Sequence, residues 1–190
     1  MKLIIASNNA HKIKEIKAIL NDKFDEIVSL REAGIDHETT EDGTTFMENA
    51  VKKAKEIVKI SGSAALADDS GICVDALGGA PGIFSARFAG EHGNDEANNA
   101  LLLEKLRDKS DKSAHYTCAM AIAYPDGSLV TAEGYMYGSI TDTRRGTRGF
   151  GYDPYFVPNG ETRTVAEMTD EEKNAMSHRA SALKLLLAKI

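Results

Sequence analysis

The sequence has 190 residues, of which 42% are hydrophobic and 27% are charged, a composition typical of a globular protein with a sizeable core. The formal net charge of −6 argues against a broad basic surface that binds a nucleic-acid polymer, although a local cluster of basic side chains could bind a small anion. The apolar run KLIIAS near the N-terminus is too short for a signal peptide or a membrane span, so we expect a cytoplasmic protein without membrane contact.

The cysteine pattern indicates neither a disulfide nor a zinc site. Cys73 and Cys118 are far apart and lie in apolar stretches, so we expect both to be small core side chains. No Cys/His spacing matches a zinc site, and any bound metal would therefore be a hard ion with oxygen ligands.

The first half of the chain alternates between strand and helix patterns. Hydrophobic periodicity predicts a buried strand at 2–6, a helix at 10–20, a second strand at 25–30, a helix at 44–61 and a short strand at 64–67. An acidic loop at 35–43 precedes the second helix, and the Gly-, Ala- and Pro-rich residues 71–90 indicate an ordered but irregular segment.

The second half continues the same interleaving. The patterns predict a helix at 94–108, long strands at 115–124 and 128–137 joined by the hairpin turn PDGS, a loop at 142–164 with the short strand PYFVP, and a last helix that starts at Thr169. Glu172 completes a capping box for that helix, and its predicted core-facing stripe is Met176, Ala180, Leu183, Leu187 and Ile190. Together the elements predict a mixed α/β sheet.

The segment SNNAHK, at 7–12, joins the first strand to the first helix. Its Ser and Asn residues are good N-caps, and the free N–H groups and positive dipole of a helix start favour an anion. On a helical wheel Lys12 falls on the inward side, from which it could reach a phosphate. The alternative is a helix that is merely well capped, and the segment lacks the glycines of a Walker loop.

The second helix places Lys53 inside its apolar stripe, whereas Lys52 and Lys59 lie on the polar side. A lysine in such a stripe either extends its ammonium group out to solvent or faces an anion in a cleft. Because Lys12 is a second inward lysine, we favour the cleft.

Acidic residues accompany these lysines. Asp68 and Asp69 follow the short strand at 64–67, and the acidic loop carries Glu38, Glu41 and Asp42. A strand-end aspartate with one carboxylate from another loop is a common way to hold Mg²⁺ next to phosphate oxygens. A pair of adjacent aspartates is also common in ordinary turns. Combined with the lysines, it indicates phosphoryl or nucleotidyl chemistry.

Two later segments carry further candidates. In RGTRGFGYDPYF, the rings of Phe150 and Tyr152 either fill the core or offer a face to a nucleobase. In EEKNAMSHRASAL, the polar residues Lys173, His178 and Arg179 either form a solvated helix face or contact a ligand, and the planar guanidinium could bind a carbonyl or phosphate oxygen.

With these motifs in place, the chain resembles the inosine triphosphate pyrophosphatases, noncanonical purine nucleoside triphosphate pyrophosphatases also called XTP/dITP diphosphatases. The matching segments run nearly from end to end, in family order and at family spacing. They are SNNAHK, EDGTTFMENAVKKA, ADDSGICVDALGGAPGIFSARFAG, GTRGFGYDPYF and EEKNAMSHRASALKLL.

The resemblance implies an α/β fold with an elongated mixed central sheet, flanking helices and two lobes around a deep substrate cleft. Residues 1–190 would form a single domain, and the protein would be a homodimer. The implied reaction is Mg²⁺-dependent hydrolysis of ITP, dITP or XTP to the monophosphate and pyrophosphate, which removes deaminated purines from the nucleotide pool. The partner is thus a purine nucleoside triphosphate substrate, with no nucleic-acid polymer.

The resemblance also assigns roles to individual residues. Asp69 would be the catalytic carboxylate, as general base or metal ligand, with Glu41 as its partner for Mg²⁺ while Glu38, Asp42 and Asp68 remain alternatives. Residues expected to bind the triphosphate are Ser7, Asn8, Asn9, Ala10, His11, Lys12 and Lys53, and Ser70 would contact substrate. Residues expected to bind the base and sugar are Phe150, Gly151, Tyr152, Asp153, Lys173, His178 and Arg179.

Two positions depart from the family pattern, because His11 and Arg148 stand where relatives often carry glycine. Neither change removes a polar group that the chemistry needs, but Arg148 adds charge near the base-binding loop. A donor such as Arg179 would favour the 6-oxo group of hypoxanthine and xanthine. The alternative within enzymes is a pyrophosphatase for other modified nucleotides, such as the Maf-like group, and the alternative from another class is a nucleotide-binding module without turnover.

Overall fold

The computed structural model describes residues 1–20 and 24–190, which form a six-stranded mixed sheet with helices flanking it. The elements are β1 (Lys2–Ile5), α1 (Ala10–Leu20), β2 (Glu26–Ser29), α2 (Phe46–Ser61), β3 (Ala64–Val74), α3 (Asp95–Leu106), β4 (Ser113–Ala123), β5 (Leu129–Ile140), β6 (Phe156–Pro158), α4 (Asp170–Met176) and α5 (His178–Leu187). The strand order is β2-β1-β3-β4-β5-β6, in which β1 pairs in parallel with β2 and β3, and β6 pairs antiparallel to β5.

The predicted mixed α/β sheet with flanking helices is confirmed, and the predicted limits of α1 agree with the structure. The turn at PDGS joins β4 to β5 as expected, with Gly127 at a φ of +88°. The elongated two-lobe arrangement around a cleft stays a prediction, as does the single-domain assignment. None of the helices among the described residues has the length and hydropathy needed to cross a membrane.

The chain divides into two compact units. The first unit comprises residues 1–69, 118–134 and 178–190, and its core consists of two apolar clusters. Alternate residues of β1 belong to different clusters, because successive side chains of a strand point to opposite faces. Leu3 and Ile5 pack with α1 and α5, whereas Ile4 packs with α2.

The second unit comprises residues 70–117 and 135–177. Its core combines side chains from the C-terminal half of β3, from α3 and from the two long strands. Ile72, Leu102, Tyr116 and Phe156 are representative members, and the rings of Tyr116 and Phe156 meet edge to face with centroids 4.8 Å apart. Such pairs add stabilisation beyond the area that they bury.

Strand β3 is longer than predicted, and the prediction that the acidic pair terminates a strand is wrong. The strand continues through Asp68 and Asp69 to Val74, with Ile72 and Val74 fully buried. In the sequence, two adjacent carboxylates resemble a turn. The strand nevertheless continues, because apolar residues follow them and side chains of other elements pair with them.

The last helix is also different from the prediction. Thr169 and Glu172 form the expected capping box, but α4 ends at Met176 and extended backbone at Ser177 separates it from α5. This break interrupts the helical period, so the predicted apolar stripe holds only in part. Ala180 and Leu183 are buried, whereas Met176 and Ile190 are exposed.

Candidate active site

The side chains of β3 alternate between the two apolar clusters of the first unit. Leu66 packs in the cluster that contains α1 and α5, whereas Ala65 and Ala67 pack in the cluster that contains α2. Asp68 and Asp69 continue this alternation. Asp68 contacts α1 and α5, whereas Asp69 contacts α2. The two adjacent carboxylates therefore have separate environments.

Asp68 lies at the centre of a buried charge cluster with Lys12, Glu15 and Arg179, hereafter the Asp68 cluster. Asp68 Oδ2 lies 3.0 Å from Lys12 Nζ and 3.2 Å from Arg179 Nη2, and Arg179 Nη1 also pairs with Glu15. Burial alone would raise the pKa of Asp68, but Lys12 and Arg179 outweigh burial and hold that pKa far below its usual range. The carboxylate is therefore ionised and tightly paired.

Asp69 faces a second set of partners with Glu41, Asn49 and Lys53, hereafter the Asp69 cluster. Lys53 Nζ lies 2.6 Å from Glu41 Oε1 and 3.9 Å from Asp69 Oδ1. Burial raises the pKa of Asp69, and the opposing charges of Lys53 and Lys12 do not cancel that rise. Burial alone would lower the pKa of Lys53, but Asp69, Asp68 and Glu41 outweigh it and raise that pKa. Lys53 therefore stays charged.

The start of α2 determines where Lys53 and its neighbours lie. Thr45 and Glu48 form a reciprocal capping box that fixes the first turn, and Lys53 follows two turns later with a side chain only 12% exposed. The side chain of Lys12, on α1, is 15% exposed. The prediction of two inward lysines is thus confirmed, and both face carboxylates.

The acidic loop contributes one carboxylate to this cluster. Glu41 contacts Lys53, whereas Asp42 pairs with Lys52 on the exposed side of α2. Glu38 is exposed, and Asp68 is engaged by its own cations. Among the alternatives left open by the sequence, Glu41 is therefore the carboxylate best placed to act with Asp69.

Carboxylate oxygens of Glu41 and Asp69 both approach the ammonium group of Lys53, so they converge where a cation is already favoured. Two carboxylates fit Mg²⁺, which takes one or two protein carboxylates and completes its coordination with phosphates and water. The described residues contain no group of three or more His, Cys, Asp or Glu side chains arranged to hold a metal ion.

The predicted anion-binding segment caps its own helix. Asn9 Oδ1 accepts hydrogen bonds from the backbone N–H groups of His11 and Lys12, at 3.0 and 3.2 Å, and Ser7 Oγ accepts one from the N–H of Asn9. The side chain of Asn8 donates to the carbonyl oxygen of His37. Asn8 through His11 are exposed to solvent, so the segment is accessible, and its contact with a triphosphate stays a prediction.

In the second unit, Asp153 organises a further group with Tyr116, Phe150 and Lys173, hereafter the Asp153 cluster. Asp153 Oδ2 accepts from Lys173 Nζ at 2.8 Å and from the N–H of Phe150 at 3.0 Å, and Oδ1 accepts from the Tyr116 hydroxyl at 3.1 Å. Lys173 Nζ lies 4.8 Å from the centre of the Phe150 ring, within cation–π range. A Cβ on Gly149, where φ is +74°, would lie 2.2 Å from Asp153 Oδ2.

The rest of the Gly-rich loop is held by hydrogen bonds between side chains and backbone groups within the second unit. Gly151 donates its N–H to Asp95 and its carbonyl oxygen accepts from Asn99, while the buried Tyr152 donates its hydroxyl to Ser85 O at 2.6 Å. Phe150 is half-buried and borders a pocket of about 450 Å³ whose lining includes Arg148. Of the two candidate aromatics, Tyr152 therefore fills the core and Phe150 retains an accessible ring.

The residues predicted to bind the base and sugar fall into both units. Lys173 belongs to the Asp153 cluster, whereas Arg179 belongs to the Asp68 cluster, where its donors already contact Asp68 and Glu15. Lys173, His178 and Arg179 are all buried, so the alternative of a solvated helix face is wrong for them. Ser70 is half-buried on β3, directly after Asp69. Substrate contacts of these residues stay predictions.

Sequence reasoning missed three polar members of these clusters, namely Glu15, Asn49 and Tyr116. Asn49 lies one turn before Lys53 on α2, and this i, i+4 spacing was a usable signal that both side chains share a face. Tyr116 carried no such signal, because its contact with Asp153 joins residues 37 positions apart.

Comparisons with known proteins identify the family. A sequence model of the Ham1 family matches residues 3–189. A protein of Clostridium perfringens (strain 13 / Type A) named dITP/XTP pyrophosphatase is 52% identical over 193 residues, covering 97% of this chain and 95% of that protein. A protein of the same name from Streptomyces avermitilis is 48% identical, covering 98% and 95%. The solved structure of the Staphylococcus aureus Ham1 protein superposes with a TM-score of 0.89 at 39% identity, covering 100% of this chain and 97% of that one.

Proposed function

The chain belongs to the Ham1 family, and we propose that it is a nucleoside-triphosphate pyrophosphatase acting on noncanonical purine nucleotides. Its substrates are ITP, dITP and XTP, which it hydrolyses to the nucleoside monophosphate and pyrophosphate. Relatives of similar length bear the name dITP/XTP pyrophosphatase. The observation that carries the proposal is the Asp69 cluster, in which a lysine with a side chain 12% exposed lies next to two carboxylates from different segments.

The reaction needs positive charge at the phosphates and a proton acceptor at the water. Lys12 and Lys53 bind the triphosphate and offset the charge that builds up on the departing pyrophosphate. Water attacks the α-phosphorus, the bond from that phosphorus to the bridging oxygen of the β-phosphate breaks, and Asp69 accepts the proton that the water loses. Asp68 holds Lys12 in place through its ion pair.

The divalent metal is proposed to be Mg²⁺, with Glu41 and Asp69 as its protein ligands. The convergence of these two carboxylates on one cation supports that choice of residues. When bound, the ion would neutralise negative charge on the phosphates. Lys53 would then share the carboxylates with the metal and contact the phosphates.

The base and sugar are assigned to the Asp153 cluster. Phe150 offers the ring for stacking on the purine, and Asp153 holds both the Phe150 backbone and Lys173. Arg179 is assigned to the 6-oxo group of the base, and its guanidinium also donates to Asp68 and Glu15. The family resemblance further supports a homodimer in the cytoplasm.

The decisive experiment is a panel of ITP, XTP, GTP, ATP and dTTP assayed by pyrophosphate release, with Mg²⁺ and with a chelator. We expect kcat/KM for ITP and XTP to exceed that for ATP by a factor of up to about 10⁴, since the 6-amino group of adenine is itself a donor and cannot accept from a donor that serves the 6-oxo group. Chelation should abolish turnover and added Mg²⁺ should restore it. Preference for dTTP would indicate a pyrophosphatase of another class, and tight ITP binding without pyrophosphate release would indicate a binding module.

A further inference from the structure

We propose that Asn49 is a positioning residue that holds the carboxylate of Asp69 and the loop bearing Glu41 in a fixed relation to each other. Asn49 is 1% exposed, its Nδ2 donates to Asp69 Oδ2 at 2.9 Å, and its Oδ1 accepts from the backbone N–H of Gly43 at 2.8 Å. One side chain thus joins three segments: β3, α2 and the acidic loop. Its effect on catalysis rests on the function proposed above.

The chemistry of the two partners dictates the orientation of this amide. A backbone N–H can only donate and an ionised carboxylate can only accept, so the amide oxygen faces Gly43 and the amide nitrogen faces Asp69. The flipped amide would place donor against donor and oxygen against oxygen. Because the group is buried, that mismatch would cost the free energy of unsatisfied polar atoms.

Close packing leaves the loop little freedom relative to Asn49. A Cβ added to Gly43 would lie 2.6 Å from Asn49 Oδ1 and 2.9 Å from the Cβ of Glu48. The next residue is also held, since Thr44 donates its N–H and its hydroxyl to Glu48 Oε2. The backbone of Gly43, two residues after Glu41, is therefore held against the capped start of α2.

The hydrogen bond from Asn49 also distinguishes the two oxygens of Asp69. Oδ2 is bound to Asn49, and this bond directs Oδ1 toward Lys53 Nζ, the group that Glu41 also contacts. Removing the amide would let the Asp69 carboxylate rotate and let the loop shift. A displacement of about 1 Å at reacting groups can cost about 100-fold in rate.

The test compares Asn49→Leu and Asn49→Asp with a matched control. Asn98→Leu provides the control, because Asn98 is equally buried on α3 and also bridges backbone groups, accepting from Ala89 N and donating to Ala86 O. We expect Asn49→Leu to lower kcat for ITP by roughly 10- to 100-fold, with KM changed far less. Asn98→Leu should lose comparable stability but keep its kcat.

Hydrogen exchange of the Gly43 amide provides a readout that needs no turnover. Asn49→Leu should accelerate exchange at Gly43, whereas Asn49→Asp keeps an acceptor for that N–H and should leave exchange slow while kcat falls. If Asn49→Leu does not fold, the Asn49→Asp variant still tests the two hydrogen bonds separately, because it keeps the acceptor for Gly43 and loses the donor to Asp69. Normal kcat in the Asp variant, or unchanged Gly43 exchange in a folded Leu variant, overturns the proposal. If the wild-type protein hydrolyses no nucleotide, the proposed function fails. The exchange data then decide by themselves whether Asn49 holds the loop at Gly43.

Discussion

Asp68 and Asp69 are neighbours in the chain, but their carboxylates face opposite sides of β3 and contact different cations. Asp68 pairs with Lys12 and Arg179, and Asp69 faces Lys53. This arrangement explains how a buried strand tolerates two adjacent negative charges, because each charge is balanced by its own partner. Under the proposed function, Asp68 has a structural role and Asp69 a chemical one.

Replacing Asp69 should remove most of the activity. We expect Asp69→Asn to lower kcat for ITP by about 100-fold or more, because the amide cannot accept the proton from water. The measurement is steady-state pyrophosphate release at saturating Mg²⁺. Asp108→Asn, at an exposed position near the end of α3, serves as the control and should keep wild-type kinetics. Near-normal turnover of the Asp69 variant would refute its assignment.

Breaking the Asp68 cluster should destabilise the fold. Arg179→Met leaves Asp68 buried without one of its cations, so we expect the free energy of unfolding to fall by about 3–5 kcal/mol. Urea denaturation measures this loss. Lys17→Met breaks a pair with Glu32 whose side chains are 34% and 52% exposed, and should cost less than about 1 kcal/mol. If both variants lost the same free energy of unfolding, the Asp68 cluster would contribute no more to stability than an exposed ion pair.

Removing the ring of Phe150 should weaken substrate binding. Base–aromatic stacking is worth about 1–3 kcal/mol, so Phe150→Ala should raise KM for ITP by roughly 10-fold with a smaller change in kcat. Phe84→Ala removes a ring that is 53% exposed, and it should leave both constants unchanged. A Phe150 variant with wild-type KM would exclude stacking on this ring.

The two thiols should differ in reactivity. Burial raises the pKa of Cys118 to about 12, and burial also raises the pKa of the half-buried Cys73. Because the thiolate is the reactive form, Cys118 should resist alkylation at pH 8 in the folded protein and react more slowly than Cys73. Mass spectrometry of labelled peptides measures both, and in denaturant the two should react alike. Rapid labelling of native Cys118 would contradict its burial.

Local patterns were sufficient for much of the fold. The limits of α1, the PDGS hairpin and the capping box at Thr169 follow from hydrophobic periodicity and short-range hydrogen bonding, which act within a few residues. The inward lysines Lys12 and Lys53 were also predicted, since a helical wheel shows which face is apolar. Their proposed role in binding the triphosphate came from the motif resemblance as well.

Other features depend on partners that are distant in sequence. The extent of β3 depends on neutralisation of Asp68 by Arg179, 111 residues later, so the same letters look like a polar turn when read alone. The bond from Asn49 to Asp69 joins residues 20 apart, and the bond from Tyr116 to Asp153 joins residues 37 apart. The sequence by itself determined most of the elements, the family and a set of candidate residues for the chemistry. Only the tertiary structure decided which carboxylate each cation neutralises, because burial and distant ion pairs set those energies.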